Sequence, residues 1–270
     1  MTSASALVVA DLSVRFGSMI ALESVSLAVA PQSIHGIIGP NGSGKTTLLN
    51  ALCGFVDCSG SASLFGRPLL GLPPHRRAAL GLGRTFQNPK VDNDLTVRDV
   101  LRIGEHRRVV RQFWKETLAP WLADADARTT DRRAFGLCRE LGVELASLEV
   151  PMASIAYGVV KMLDLARAMM SEPRLILLDE VTSGLSRADI AVVQEQLRRL
   201  RANGVTVVTV EHNIRFLVDV CDRVTVLNAG RCIADGAVTE VLRMPEVVKA
   251  YMGEETAPPS AVGQERRAGA

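Results

Sequence analysis

The chain has 270 residues, of which 47% are hydrophobic and 22% charged, and it carries a net charge of +2. Such a composition suits one large α/β domain or two small ones with a sizeable core, and excludes a chain disordered throughout. The basic residues are scattered and give no nucleic-acid footprint, and no apolar run nears the roughly 18 residues that would span a bilayer.

In chain order, Leu7–Leu12 and the continuation through Phe16 read as a strand, and Ala21–Val29 as a second one with alternating apolar positions. Pro31-Gln32-Ser33 is a turn before an apolar strand that ends at Ile37-Ile38. A glycine-rich loop follows, and Thr47–Leu52 opens a helical pattern. Ser61–Phe65 is a short strand ahead of the turn Gly66-Arg67-Pro68, and Gly81–Gln87 returns to the core. The character then changes. Thr96-Val97-Arg98-Asp99 resembles a capping box and predicts a helix running toward Arg108. The pairs Phe113-Trp114 and Pro120-Trp121 and the stretch Asp124–Asp131 read as irregular or short-helical, with helix resuming over Arg132–Leu141 and stopping at Gly142. Residues 91–157 are therefore expected to form a helical subdomain inserted into an α/β core made of residues 5–90 and 158–253. From Val159 a helical stripe runs to Met169-Met170. Leu175–Leu178 and Val205–Val210 are buried strands, and between them lies a helix capped by Ser186 and Asp189 and stopped at Asn203-Gly204. Val224–Leu227 and Arg231–Ala234 form a hairpin, Pro245–Tyr251 a last helix, and residues 254–270 a Pro-, Ala- and Gly-rich tail expected to be disordered. The five cysteines show no metal or disulfide spacing and read as reduced, mostly buried thiols. The N-terminus lacks the basic and apolar regions of a signal peptide, so the expected compartment is the cytoplasm.

Two segments carry the chemistry. Gly39-Pro40-Asn41-Gly42-Ser43-Gly44-Lys45-Thr46 fits the phosphate-binding loop G-x-x-x-x-G-K-[ST]. Triphosphate oxygens need converging donors. Glycines let backbone N–H groups turn inward, and the following helix directs its positive end at the same oxygens. Lys45 is the mobile cation for the β- and γ-phosphates, the Thr46 hydroxyl is a magnesium ligand, and ATP is expected to bind through Gly39–Thr47. In the second segment, Asp179 and Glu180 emerge at the end of the apolar strand Leu175–Leu178, where α/β sheets bind ligands. Asp179 can hold magnesium and Glu180 can polarise the attacking water. His212 ends the later strand and can donate to the γ-phosphate.

These motifs resemble those of the ATP-binding subunits of ABC transporters, over residues 5–253. The resemblance implies a P-loop NTPase (RecA-like) core with an N-terminal antiparallel β subdomain and an inserted α-helical subdomain. It implies ATP hydrolysis with magnesium, pairing with a second ATPase subunit as a hetero- or homodimer, and peripheral attachment to the inner membrane through permease subunits that receive solute from a binding protein. It also implies residue roles: Phe16 stacking on adenine, Gln87 contacting magnesium and coupling to the permease, and Ser183-Gly184-Leu185-Ser186 crossing the dimer interface. Ile155-Ala156-Tyr157-Gly158-Val159 occupies the place of the family signature, which completes the partner's ATP site. Arg84-Thr85-Phe86-Gln87, the Ala-Tyr-Gly form of the signature and the ending Val247–Glu254 are similar to branched-chain amino-acid importers, a branch that includes relatives importing urea and short amides. Four departures stand out: Val159 where Gln is usual, Val181 where Pro follows the catalytic Glu, Ser186 where Asp or Asn is common, and Ala156 in place of a signature Ser. A soluble ABC ATPase of DNA repair or translation would show tandem cassettes, a coiled coil or zinc cysteines. A non-hydrolysing regulatory subunit fits poorly with Lys45, Asp179, Glu180 and His212 all in place.

Overall fold

The computed structural model describes residues 5–86, 94–105 and 120–252, with backbone only for residues 120–127 and for Met252. Two sheets organise it. The smaller is antiparallel, in the order β2-β1-β4-β5, from β1 (Leu7–Phe16), β2 (Met19–Val29), β4 (Ser59–Leu64) and β5 (Arg67–Pro68). The larger has the order β10-β9-β3-β8-β7-β6 and contains β3 (Ile34–Ile38), β6 (Leu82–Arg84), β7 (Leu175–Asp179), β8 (Thr206–Val210), β9 (Arg223–Asn228) and β10 (Arg231–Gly236). Its strands are parallel except for the β9–β10 hairpin.

Strands β3, β7 and β8 are buried along their whole length, as expected for continuous apolar runs covered on both faces. The period of two decides which side each residue serves. Leu175 and Leu177 join β1, β2, β4 and α1 (Lys45–Cys53) in the cluster between the sheets. Ile176 and Leu178 join the opposite cluster, built on α3 (Val97–Ile103), α4 (Pro120–Glu140), α5 (Tyr157–Met170) and α6 (Arg187–Ala202). Because β3 and β7 run parallel on either side of β8, their C-terminal ends lie at the same edge of the sheet and present both motifs there.

Some expectations change. Thr96 and Asp99 do form a reciprocal capping box. The helix they start runs to Ile103, and Arg108 lies outside the described residues. At its C-terminal end α3 approaches α5 so closely that a Cβ on Gly104 would lie 2.1 Å from the Arg167 carbonyl oxygen. The stretch from Pro120 is not irregular but one 21-residue helix, α4. Its aspartates and threonines are poor helix formers, yet tertiary partners outweigh that preference. Ala134 and Cys138 are buried, Asp131 accepts from Arg98 and Arg102, and the Thr130 hydroxyl donates to Glu105 at 2.6 Å. Arg67-Pro68 pairs with β4 rather than only turning. Helix α2 (Pro74–Ala79) lacked an apolar stripe to announce it. Its buried Arg77 donates to the carbonyls of Ala51 and Leu52, satisfying the open end of α1. The short helices α7 (Ile214–Val220) and α8 (Val238–Val241) were likewise not foreseen, whereas α9 (Pro245–Met252) was. Of the cysteines, all unpaired, only Cys53 and Cys138 are fully buried.

One buried group sets an expectation for stability. His35, on β3, shares a 2.7 Å hydrogen bond with Thr225, whose hydroxyl donates to Asp235, itself paired with Arg223. Burial lowers the His35 pKa to about 4; Asp235 opposes the shift and Arg223 adds to it. Below pH 6.5 the unfolded chain therefore takes up this proton before the folded one. Stability falls as pH drops from 6.5 toward 4, by about 3 kcal/mol for this group. Urea unfolding at pH 7 and pH 4.5 measures the loss, and His35→Gln is expected to flatten that part of the profile.

Candidate nucleotide site

The phosphate loop is shaped by backbone that only glycine tolerates at two points. Gly39 has φ +150°, and a Cβ there would sit 2.0 Å from the Leu227 carbonyl oxygen. Gly44 has φ +100° and packs against Ala21 and Leu22 of β2, so the loop is wedged between the two sheets. Gly44 is also the N-cap of α1, which places Lys45 and Thr46 in the first turn. The Lys45 ammonium curls over the loop and donates to the carbonyls of Gly39 and Pro40 at 2.7 and 2.8 Å. Asn41 and Gly42 stand exposed at the crest, while Ser43 is buried beneath it.

Asp179 lies at the end of β7, 2% exposed. Its backbone N–H donates to the Thr85 hydroxyl, and its Oδ2 faces the Arg84 guanidinium at 3.4 Å. Burial raises its pKa; Arg84 and the nearby Thr46 hydroxyl oppose that, and Glu180 reinforces it. Oδ1 is buried and makes no hydrogen bond. A buried carboxylate oxygen without a donor, beside a hydroxyl and above a phosphate loop, is the oxygen-ligand arrangement that a small hard cation takes. The residues present therefore fit magnesium.

Glu180 adopts φ +50°, a left-handed conformation that disfavours a side chain with a Cβ. Its N–H donates to the Val210 carbonyl, and its carboxylate meets His212 Nε2 at 3.0 Å. The two residues proposed for hydrolysis are thus in direct contact, although they come from different strands. Val181, the departure after Glu180, is buried in the helical cluster. Phe16 is 46% exposed at the end of β1, so it is not the strand-core residue that an apolar position alone would suggest. Gln87 lies outside the described residues. The chain leading to it is anchored by Phe86 N–H on Asp164 and by Arg167 on the Arg84 carbonyl.

Ala156 is the N-cap of α5 and offers no side-chain cap, and Tyr157 is exposed. Val159 is half-buried and packs against the helical cluster. A Cβ on Gly184 would come within 3.4 Å of the Tyr157 ring, and Gly158 is adjacent to Leu185. The signature and the Ser183–Ser186 loop therefore form one surface. Ser186, in place of the common Asp or Asn, caps α6 with Asp189. Three residues that motif reading passed over also bear on the site: Lys161, Thr182 and Glu211. The sequence carried a signal for two of them, since Lys161 interrupts the apolar stripe of α5 and Glu211 directly follows an apolar strand.

The ABC transporter family model matches residues 22–183, and a model for branched-chain amino acid ATP-binding cassette transporters matches residues 231–257. The high-affinity branched-chain amino acid transport ATP-binding protein BraF of Pseudomonas aeruginosa is 34% identical over 251 residues, covering 91% of this chain and 97% of that protein. The corresponding LivG protein of Escherichia coli is 33% identical over 246 residues, covering 90% and 96%. A nucleotide-free crystal structure of an ABC transporter ATP-binding cassette aligns with a TM-score of 0.77 at 26% identity, covering 92% of this chain and 98% of that one. The ADP conformation of such a cassette aligns at 0.75 and 27%, covering 92% and 99%. The chain belongs to the ABC transporter ATP-binding family and is an ABC-type ATPase.

Proposed function

We propose that the chain is the ATP-hydrolysing subunit of an importer for branched-chain amino acids, held at the cytoplasmic face of the membrane by permease subunits that a solute-binding protein supplies. The observation that carries the solute class is the match of residues 231–257 to the branched-chain cassette model. Among the described residues no helix is long and apolar enough to cross a membrane, which is consistent with attachment through other subunits.

In this reading the N–H groups of Gly39–Thr47 and the Lys45 ammonium hold the ATP phosphates, and Phe16 stacks on adenine. Thr46, Asp179 and Gln87 would hold magnesium, which would neutralise charge on the phosphates. Glu180 orients and polarises the attacking water, and His212 both faces the γ-phosphate and holds the Glu180 carboxylate. Ala156, Tyr157 and Gly158 meet the ATP of a second ATPase subunit. Residues 91–157 act as the inserted helical subdomain.

A groove of about 900 Å³ opens beside β6, lined by Phe55, Arg84, Phe86, Ile103 and Arg167. Phe55, Phe86 and Ile103 are each at least 40% exposed, and guanidinium groups of Arg84 and Arg167 lie over the Phe86 ring. An apolar surface rimmed by cations suits a short amphipathic helix of the permease. A photo-crosslinking residue at Ile103 or Phe55 is expected to reach the permease. The same probe at Arg231, on β10 at the far edge of the sheet, is expected not to.

Deleting the chain's gene tests the function as a whole. Uptake of leucine, isoleucine and valine is expected to fall and to be restored by the wild-type chain but not by Glu180→Gln. Unchanged uptake of all three, with loss of urea or short-amide uptake, would move the assignment to that solute class.

A further inference from the structure

Lys161 sits one turn into α5, only 4% exposed, among Met162, Leu163 and Leu165. A buried ammonium needs a specific partner. Its Nζ donates to the backbone carbonyl of Glu180 at 2.8 Å. That carbonyl belongs to the residue held at φ +50°. The loop is fastened on its other sides by strand β8 and the residues just after it. Val210 accepts from the Glu180 N–H, and His212 meets its carboxylate. The buried Glu211 accepts from both the Thr182 N–H, at 2.9 Å, and the Thr182 hydroxyl, at 2.6 Å. Among these bonds only that of Lys161 comes from α5. Tyr157, one turn earlier, lies with its ring centroid 5.7 Å from the Lys161 ammonium and beside Gly184 of the same loop. The first turn of α5 is the segment that faces the partner's ATP. The next turn grips the peptide that carries this chain's own hydrolytic carboxylate.

We propose that Lys161 is a positioning residue for Glu180: it holds the Glu180 peptide in its left-handed conformation and so links the placement of α5 against the partner's nucleotide to the base in this chain's own site. The second half rests on the reading that two ATPase subunits share each nucleotide. A base displaced by a fraction of an ångström loses its line to the attacking water while the phosphate loop still binds ATP. Removal of the link is therefore expected to act on turnover and not on affinity.

The test uses the full-length chain as wild type, Lys161→Met and Lys161→Arg, with Lys161→Gln in reserve should Met fail to fold. Steady-state hydrolysis gives kcat and KM, and thermal melting reports stability. Lys161→Met is expected to lower kcat by at least about tenfold with KM within about twofold, and Lys161→Arg, which retains a cationic donor, to recover most of the loss. In a Glu180→Gln background, ATP-dependent dimers are expected to form with and without Lys161→Met. Wild-type kcat in Lys161→Met would overturn the proposal. Equal losses in the Met and Arg variants, in step with falling melting temperature, would overturn it as well, because they mark a packing role only. If Glu180→Gln forms no ATP-dependent dimer, either with itself or with the second ATPase subunit of the assembled transporter, the link to the partner fails along with the shared-site reading, while the kcat comparison still judges the positioning role.

Discussion

Glu180→Gln is expected to slow ATP hydrolysis by roughly 10²–10⁴-fold while leaving ATP binding intact. The amide keeps the shape of the carboxylate and can still meet His212, which lies 3.0 Å away in the wild type. It cannot accept a proton from water. The unusual backbone of Glu180, fixed by Val210 and Lys161, does not depend on the side-chain charge, so the loop is expected to keep its form. ATP should then accumulate unhydrolysed and hold two ATPase subunits together. Light scattering with MgATP present and absent measures that association. A variant that turns over at the wild-type rate would remove Glu180 from this role.

Lys45→Ala is expected to abolish measurable ATP binding. The Lys45 ammonium rests on the Gly39 and Pro40 carbonyls, within reach of the space enclosed by the loop. A triphosphate offers charged acceptors, so the ammonium would gain an ion pair there that the neutral carbonyls cannot give. Truncation removes both the charge and the donors from a site that is otherwise backbone. The loop's own shape, set by Gly39 and Gly44, should survive, so the folded state is expected to be little changed. Titration calorimetry with ATP and magnesium separates the two: normal melting with no binding heat is the expected result, and wild-type affinity would contradict it.

The parts of the site legible in the sequence were those in which chemistry demands fixed spacing. The phosphate loop needs Gly39, Gly44 and Lys45 in one short stretch, and beside it the short apolar run ending in Asp179-Glu180 reads as a buried strand with carboxylates at its end. The capping boxes at Thr96 and Ser186 were legible for the same reason: each partner is three residues away. What stayed hidden depends on contacts between distant segments. Lys161 reaching Glu180, Glu211 clamping Thr182, and Arg84 facing Asp179 are tertiary pairings that no local spacing encodes. The unbroken α4 was hidden for a related reason, since Asp131 and Thr130 become acceptable helix residues only once Arg98, Arg102 and Glu105 lie across from them. Val159 illustrates the converse. By pattern it lacks a polar group for the partner's nucleotide, and in the fold it lies half-buried against the helical cluster.

In the proposed function Lys45, Asp179, Glu180 and His212 form one hydrolytic centre. Phosphate release from the purified full-length chain, measured at equal bound ATP in the wild type and in Glu180→Gln, addresses that claim most directly. Steady release from the wild type and almost none from the variant is the predicted result; equal release from both would contradict the account.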